Sequence, residues 1–239
     1  LLTLVKEIPV LYIVMPVYNE EASVARVFDE WLPVLRREAK EFCWLVYNDG
    51  SRDKTLEILN DYARRHPEIR VIDKPNSGHG QSCLRGYRDA LQQQASWVFQ
   101  MDSDGQCDPK FFADVWARRL QSPVIMGYRR VREDGASRWW VSRVVSMCAW
   151  WASGVWVKDA NVPYRLMRGD ILERAIYGIS DEFQLVNILL SIRLRAAHPI
   201  VWVPIVFRDR FGGSSTVKFH ALMKHGRLLL RQLREEQGR

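Results

Sequence analysis

Continuous apolar runs alternate, through the first half of the chain, with stretches whose apolar residues recur every three or four positions. Residues 10–15, 44–47, 69–72, 96–99 and 123–128 are short runs bounded by turn residues, which predicts buried β-strands. Between them, Val24, Val27, Phe28, Trp31, Leu32 and Leu35 fall on one face of a helix. Leu56, Leu59, Tyr62 and Ala63 do the same in a second helix that Pro67 closes. A third helix is predicted to run to about residue 94 and a fourth over 109–120. Strand and helix alternating through short connections predict βαβ units and a mostly parallel sheet covered on both faces. In such a sheet ligands gather beyond the carboxyl ends of the strands. The loops at 16–20, 48–53, 78–80 and 102–106 all leave that edge and converge.

The second half is less regular. Residues 139–157 are apolar nearly all round and hold five tryptophans. Their uncharged stretch after Arg143 is too short to span a bilayer. It reads either as an internal core helix or as an interfacial one with tryptophans at headgroup level. A helix is predicted over 183–197 and a strand over 200–207. The loop at 208–216, basic and rich in glycine and hydroxyls, reads as a phosphate cradle or as a plain surface loop. The last stretch places Phe219, Leu222, Met223, Leu229, Leu230 and Leu233 on one helix face and Lys218, Lys224, Arg227, Arg231 and Arg234 over much of the rest. Such a helix either packs on the domain or lies on anionic lipid.

With 239 residues, 47% of them hydrophobic, the chain has enough apolar surface for a full core. The net charge of +7 favours an anionic partner. Nucleic acid is not expected, because the basic residues are dispersed and form no reading motif. Cys43, Cys83, Cys107 and Cys148 form no CxxC pair, which argues against zinc and suits reduced thiols in a cytosolic setting. No signal peptide is visible, since Lys6, Glu7 and Pro9 interrupt the apolar start. Gly78 and Gly80 are followed by Cys83 where a dinucleotide fingerprint needs a third glycine, so NAD binding is not expected.

The chemistry concentrates in Gln100-Met101-Asp102-Ser103-Asp104-Gly105-Gln106. On an extended backbone Asp102 and Asp104 present their carboxylates to the same side. Two acids at a strand end repel unless a positive charge joins them. Magnesium, which takes one or two carboxylates plus substrate phosphate, meets that need. The alternative is a solvated acidic turn capping the helix that begins at Pro109.

Taken together and in order, Met15-Pro-Val-Tyr-Asn-Glu-Glu, Asn48-Asp-Gly-Ser-Arg-Asp-Lys-Thr55, Asn76-Ser-Gly-His-Gly and Asp102-Ser-Asp-Gly-Gln resemble glycosyltransferase family 2. Tyr164-Arg-Leu-Met-Arg168 and Arg210-Phe-Gly-Gly-Ser-Ser resemble later motifs of its dolichyl-phosphate mannose synthase and polyprenyl-phosphate glycosyltransferase branch. The likeness covers residues 8 to 218. It implies an α/β GT-A fold, Rossmann-like, with a catalytic domain over 1–216 divided near residue 128 into nucleotide and acceptor halves. Residues 217–239 would form a C-terminal basic amphipathic helix.

The resemblance also implies roles. Pro16, Tyr18 and Glu20 would line the nucleotide pocket, with Gly80 beside it, and Asp49 would accept a hydrogen bond from the base. Asp102 would approach nucleotide and metal; Asp104 and Gln106 would complete the ligands of a Mg2+ or Mn2+ ion. Arg129, Arg165 and Arg210 would face sugar or phosphate anions. Asn48 stands where many members carry an acid, and Thr216-Val217 replaces the basic residue often found after the Gly-x-Ser motif.

The expected activity is metal-dependent, inverting transfer of a sugar from a UDP- or GDP-sugar to a membrane polyprenyl phosphate. The enzyme would sit peripherally at the inner, cytoplasmic face of the membrane. A lipid phosphate needs no catalytic base. A saccharide hydroxyl acceptor would need one, and Asp181 and Glu182 are the candidates, unless they only cap the following helix. A non-catalytic nucleotide- or membrane-binding module is the alternative of another class.

Overall fold

The computed structural model describes residues 10–132, 147, 150, 151 and 153–212. Within them the strands are β1 (Leu11–Val17), β2 (Phe42–Asp49), β3 (Ile69–Lys74), β4 (Trp97–Met101), β5 (Val124–Arg132), β6 (Tyr164–Arg168) and β7 (Val201–Phe207). They form one seven-stranded sheet in the order β3-β2-β1-β4-β6-β5-β7. Strand β1 pairs parallel with β2 and β4, β2 with β3, and β5 with β7. Strand β6 runs antiparallel between β4 and β5. The chain leaves β1 toward β2 and later returns to the other side of β1 as β4. The carboxyl ends of β1 and β4 therefore flank a topological switch point, where open α/β sheets leave a crevice.

Helices α1 (Val24–Glu38), α2 (Thr55–Arg65), α3 (His79–Gln92), α4 (Phe112–Ala117), α5 (Gly169–Ile176) and α6 (Val186–Ala197) accompany the sheet. The face predicted for α1 is the face that is buried, from Val24 to Leu35. Trp31 of α1 meets Phe99 of β4 at 5.6 Å and Tyr164 of β6 at 5.9 Å between ring centroids. Phe99 meets Phe112 of α4 edge-on at 5.2 Å. This aromatic cluster lies directly behind the acidic turn. Each such side chain, once buried, contributes roughly 1.5–3 kcal/mol. Helix α3 lies close on the sheet at Gly86, where a Cβ would stand 2.4 Å from Val14.

Several expectations are corrected. Residues 164–168, to which the sequence reading assigned no element, form the strand β6. Its alternation is disguised because Arg165, in mid-strand, is fully buried. The helix expected from residue 183 begins at Val186, and α5 was not anticipated. The helix expected over 109–120 is α4 with a 3-10 turn at each end. Most of 139–157, the end of the 208–216 loop and the expected C-terminal helix lie outside the described residues.

Candidate active site

Strand β4 ends at Met101, so Asp102 and Asp104 do not share a strand face as the extended reading expected; they belong to the turn that follows. Gly105 turns the chain with φ +80. The turn still brings the two acids close enough to repel. Burial first, and then the charge of Asp102, push the carboxyl of Asp104 up to about 6, against the opposing pull of Arg210. From the end of β1, Glu20 adds a third carboxyl, raised first by burial and further by Asp102. Its Oε2 accepts from Ser23 Oγ at 2.5 Å, and Ser23 Oγ also reaches the Ser103 carbonyl at 3.2 Å.

The loop after β7 clasps this turn. Arg208 N donates to Gln106 O at 3.2 Å, Gln106 Nε2 to Arg208 O at 3.1 Å, and Phe211 N to Asp104 O at 3.2 Å. Arg208 Nη2 donates to Gly105 O at 3.1 Å and to Glu30 at 2.7 Å. Arg210 Nη2 donates to Glu20 Oε1 at 2.6 Å, and its Nε lies 3.6 Å from Asp104 Oδ2. Asp102 accepts through Oδ1 from His79 Nε2 and Gln100 Nε2. Glu20, Asp102, Asp104, Gln106 and Arg210 are thus brought together.

Among the described residues no three His, Cys, Asp or Glu side chains form a ready-made metal cage. What the turn offers is an oxygen set: Asp102 Oδ2, which no described residue bonds, Asp104 Oδ2, and the Gln106 amide oxygen. Hard oxygen donors, few in number, fit a magnesium- or manganese-type ion that completes its shell with water and phosphate.

The other expected residues fare differently. Pro16 is buried near the end of β1, and Tyr18, just beyond, is 44% exposed with its ring open to a ligand. Arg129 holds Asp159 with two bonds of 2.7 Å, so its charge is already partnered. Arg165 is corrected: its guanidinium donates to Val162 O at 2.6 Å, Asn187 O at 3.0 Å and Ser191 Oγ at 3.2 Å, and none of it is exposed. It ties β6 to α6 and faces no ligand. Asp49 is corrected too. Its carboxylate accepts from the Lys74 ammonium and from the Ser77 and Gly78 amides, both at 2.9 Å, and only 3% of the residue is exposed. It holds the β3–α3 loop rather than offering itself to a base. Gly80 serves packing, since a Cβ there would stand 2.0 Å from Gln184 O. Asp181 is exposed and ion-paired with Arg88, and Glu182 is exposed.

Residues to which the sequence reading gave no individual role include His79, Gln100, Ser23 and Arg208. Gln100 was discoverable, since it precedes Asp102 by two in the same motif. Arg208 was not, because its partners lie 178 and 103 residues away.

A sheet with this switch-point crevice, carrying paired acids after the central strand, has the architecture of the GT-A class. The family model for glycosyl transferase family 2 matches residues 12–180, and the chain belongs to that family. It is 31% identical over 169 residues to an undecaprenyl-phosphate 4-deoxy-4-formamido-L-arabinose transferase of Pseudomonas paraeruginosa, covering 70% of this chain and 49% of that protein. It is 38% identical over 98 residues to a dolichyl-phosphate beta-glucosyltransferase of Trichomonas vaginalis, covering 38% of this chain and 28% of that one. The chain thus spans about half or less of the length of these relatives. Among solved structures, glucosyl-3-phosphoglycerate synthase from Mycobacterium tuberculosis, crystallised with Mn2+, UDP and phosphoglyceric acid, superposes with a TM-score of 0.70. That match has 19% identity and covers 94% of this chain and 78% of that one. At that identity the likeness speaks for the GT-A fold.

Proposed function

We propose that this chain is the catalytic part of a metal-dependent, inverting glycosyltransferase that moves a sugar from a UDP- or GDP-sugar to a membrane polyprenyl phosphate. The observation that carries the reading is the acid pair Asp102 and Asp104 at the switch-point crevice, with Asp104 driven up to about 6 by burial and by its neighbour. A site built to concentrate negative charge is a poor surface turn and a good cation seat. The two relatives above, both named for transfer to a polyprenyl-type phosphate, support that acceptor class.

In this reading Asp102, Asp104 and Gln106 hold the cation, which supplies Lewis-acid stabilisation of charge on the departing diphosphate. Tyr18 offers its exposed ring to the base, with Pro16 and Glu20 beside it. Arg210, already among the acids, is placed to meet phosphate oxygens when it leaves Glu20, and Arg129 flanks the acceptor side. An acceptor phosphate oxygen attacks the anomeric carbon as the bond to the diphosphate breaks, so no protein base is required. The rival with a hydroxyl acceptor is disfavoured because Asp181 is exposed and already paired with Arg88.

We place the enzyme peripherally on the cytoplasmic membrane face. Trp150, Trp151 and Trp156 are 50%, 72% and 46% exposed. Trp156 borders a recess of about 500 Å³ together with Trp202, Lys158 and Arg195; none of the acidic-turn residues line it, so it is not the crevice. Tryptophan favours headgroup level, and lysine and arginine favour anionic lipid. Among the described residues no helix is long and apolar enough to cross a membrane.

The test is a thermal-shift panel of UDP, GDP and their sugars, with and without Mn2+ or Mg2+, followed by transfer to a polyprenyl phosphate. Metal-dependent stabilisation and transfer, both lost in Asp104→Ala, are expected. Transfer that survives chelation would overturn the reading.

A further inference from the structure

The Asp102 carboxylate is held from one side only. Its Oδ1 lies 2.8 Å from His79 Nε2 and 3.2 Å from Gln100 Nε2. A carboxylate only accepts, so both nitrogens carry hydrogen toward it. No described residue bonds Oδ2.

Neither donor arrives by chance of a flexible side chain alone. Gln100 is fully buried in β4, in register with Val14 of β1 and Arg165 of β6. Its Oε1 is buried without a hydrogen-bond partner. Such an orphan acceptor is costly, and apolar residues would fill the site better. Turning the amide over would set Oε1 against the Asp102 carboxylate. Gln100 is therefore kept for its N–H at Asp102, not for the stability of the sheet. His79 opens α3 directly after Gly78, whose φ is +93. A Cβ at Gly78 would lie 2.9 Å from Gln184 Oε1, and one at Gly80 2.0 Å from Gln184 O. The first turn of the helix is wedged against that segment, so the imidazole enters the crevice from a backbone with no slack.

We infer that His79 and Gln100 are positioning residues that jointly pin Oδ1 of Asp102 and so present Oδ2 to the divalent cation of a metal–nucleotide diphosphate. The inference rests on the transferase reading above and assigns to it two residues that act through Asp102. Partners of this kind govern affinity because they fix where the ligand oxygen points.

Mn2+ binding in the presence of UDP or GDP, followed by the free-Mn2+ electron paramagnetic resonance signal, tests it on the whole chain. His79→Ala is expected to weaken Mn2+–nucleotide binding about 10–100-fold. His79→Gln, which returns an N–H at similar reach, should restore most of it. Gln100→Met removes the donor and the orphan acceptor while keeping the volume. It should leave the metal-free chain at least as resistant to heat, yet weaken Mn2+ binding comparably. A merely structural role would lower the melting temperature and spare the binding of the folded protein. Native binding matched by both His79→Ala and Gln100→Met would overturn the clamp and leave the transferase reading standing. A native chain that takes up no Mn2+ in the presence of either UDP or GDP would overturn both.

Discussion

Arg210 reaches Glu20 across 190 residues of sequence, its Nη2 donating to Glu20 Oε1 at 2.6 Å while its Nε stands 3.6 Å from Asp104. A guanidinium from the loop after the last strand thus sits among carboxylates from the ends of β1 and β4. It only partly opposes burial, the larger cause, and the charge of Asp102, since Asp104 still stands at about 6. Removing one negative charge should relieve the rest. Asp104→Asn is expected to melt higher than the native chain without metal, by about 1 kcal/mol in urea titrations. The same variant should lose the stabilisation that Mn2+ with nucleotide confers. A lower melting point would mean that the carboxylate is better compensated than its surroundings indicate.

Asp49 predicts the acid limb of the stability curve. Burial alone would raise it; the Lys74 ammonium and the Ser77 and Gly78 amides outweigh that and hold it below its ordinary value of 3.8. A depressed carboxyl contributes stability that is present above the unfolded value, about 3.8, and lost as pH falls through the lower folded value. Asp49→Asn should lose stability at neutral pH and show a flatter decline in acid. Lys74→Met, which strands the buried charge, should cost about 3–5 kcal/mol at pH 7. Urea titrations between pH 2 and pH 7 check both, with the change expected at and below about pH 3.8.

Arg165 should behave as a structural residue. Arg165→Met leaves the buried carbonyl of Val162 without its side-chain donor and removes one of the two side-chain donors to the Asn187 carbonyl, a loss of about 2–5 kcal/mol. The folded fraction should bind nucleotide with native affinity. A normal melting point with weakened nucleotide binding would return Arg165 to the ligand.

Gly105 joins the acidic turn to the loop above it. Its φ is +80, and a Cβ there would stand 2.2 Å from the Phe211 ring. Gly105→Ala should cost about 1–3 kcal/mol and release the clasp of residues 208–211. Faster proteolysis near Phe211, against an unchanged remainder, is the expected readout.

The exposed tryptophans predict where the protein meets lipid. Trp151→Ser with Trp156→Ser should lower cosedimentation with phosphatidylglycerol vesicles by at least about tenfold while leaving nucleotide-dependent thermal shifts intact. Equal sedimentation of native and variant protein would remove this surface from the membrane reading.

The strands β1 to β5, the face of α1 and the family were legible in the sequence because they depend on local regularities. Buried parallel strands need unbroken apolar runs, helices on a sheet need a 3.6-residue stripe, and their alternation implies a mostly parallel sheet. The acidic motif declared itself for the same reason: its residues adjoin in the chain. What lay beyond reach was which charges are already spent. Arg165 and Arg210 look alike in sequence, yet one is sealed against the carbonyls of Val162 and Asn187 and the other stands among acids. Asp49 and Asp102 each stand at the carboxyl end of a parallel strand, and only the packing of Lys74 against one and of His79 and Gln100 against a single oxygen of the other separates their work. Local pattern determines which segments are buried because hydrophobic burial is additive along the chain. Partner choice among polar groups is settled only when distant segments meet, since a hydrogen bond depends on ångström-scale placement that no periodicity encodes.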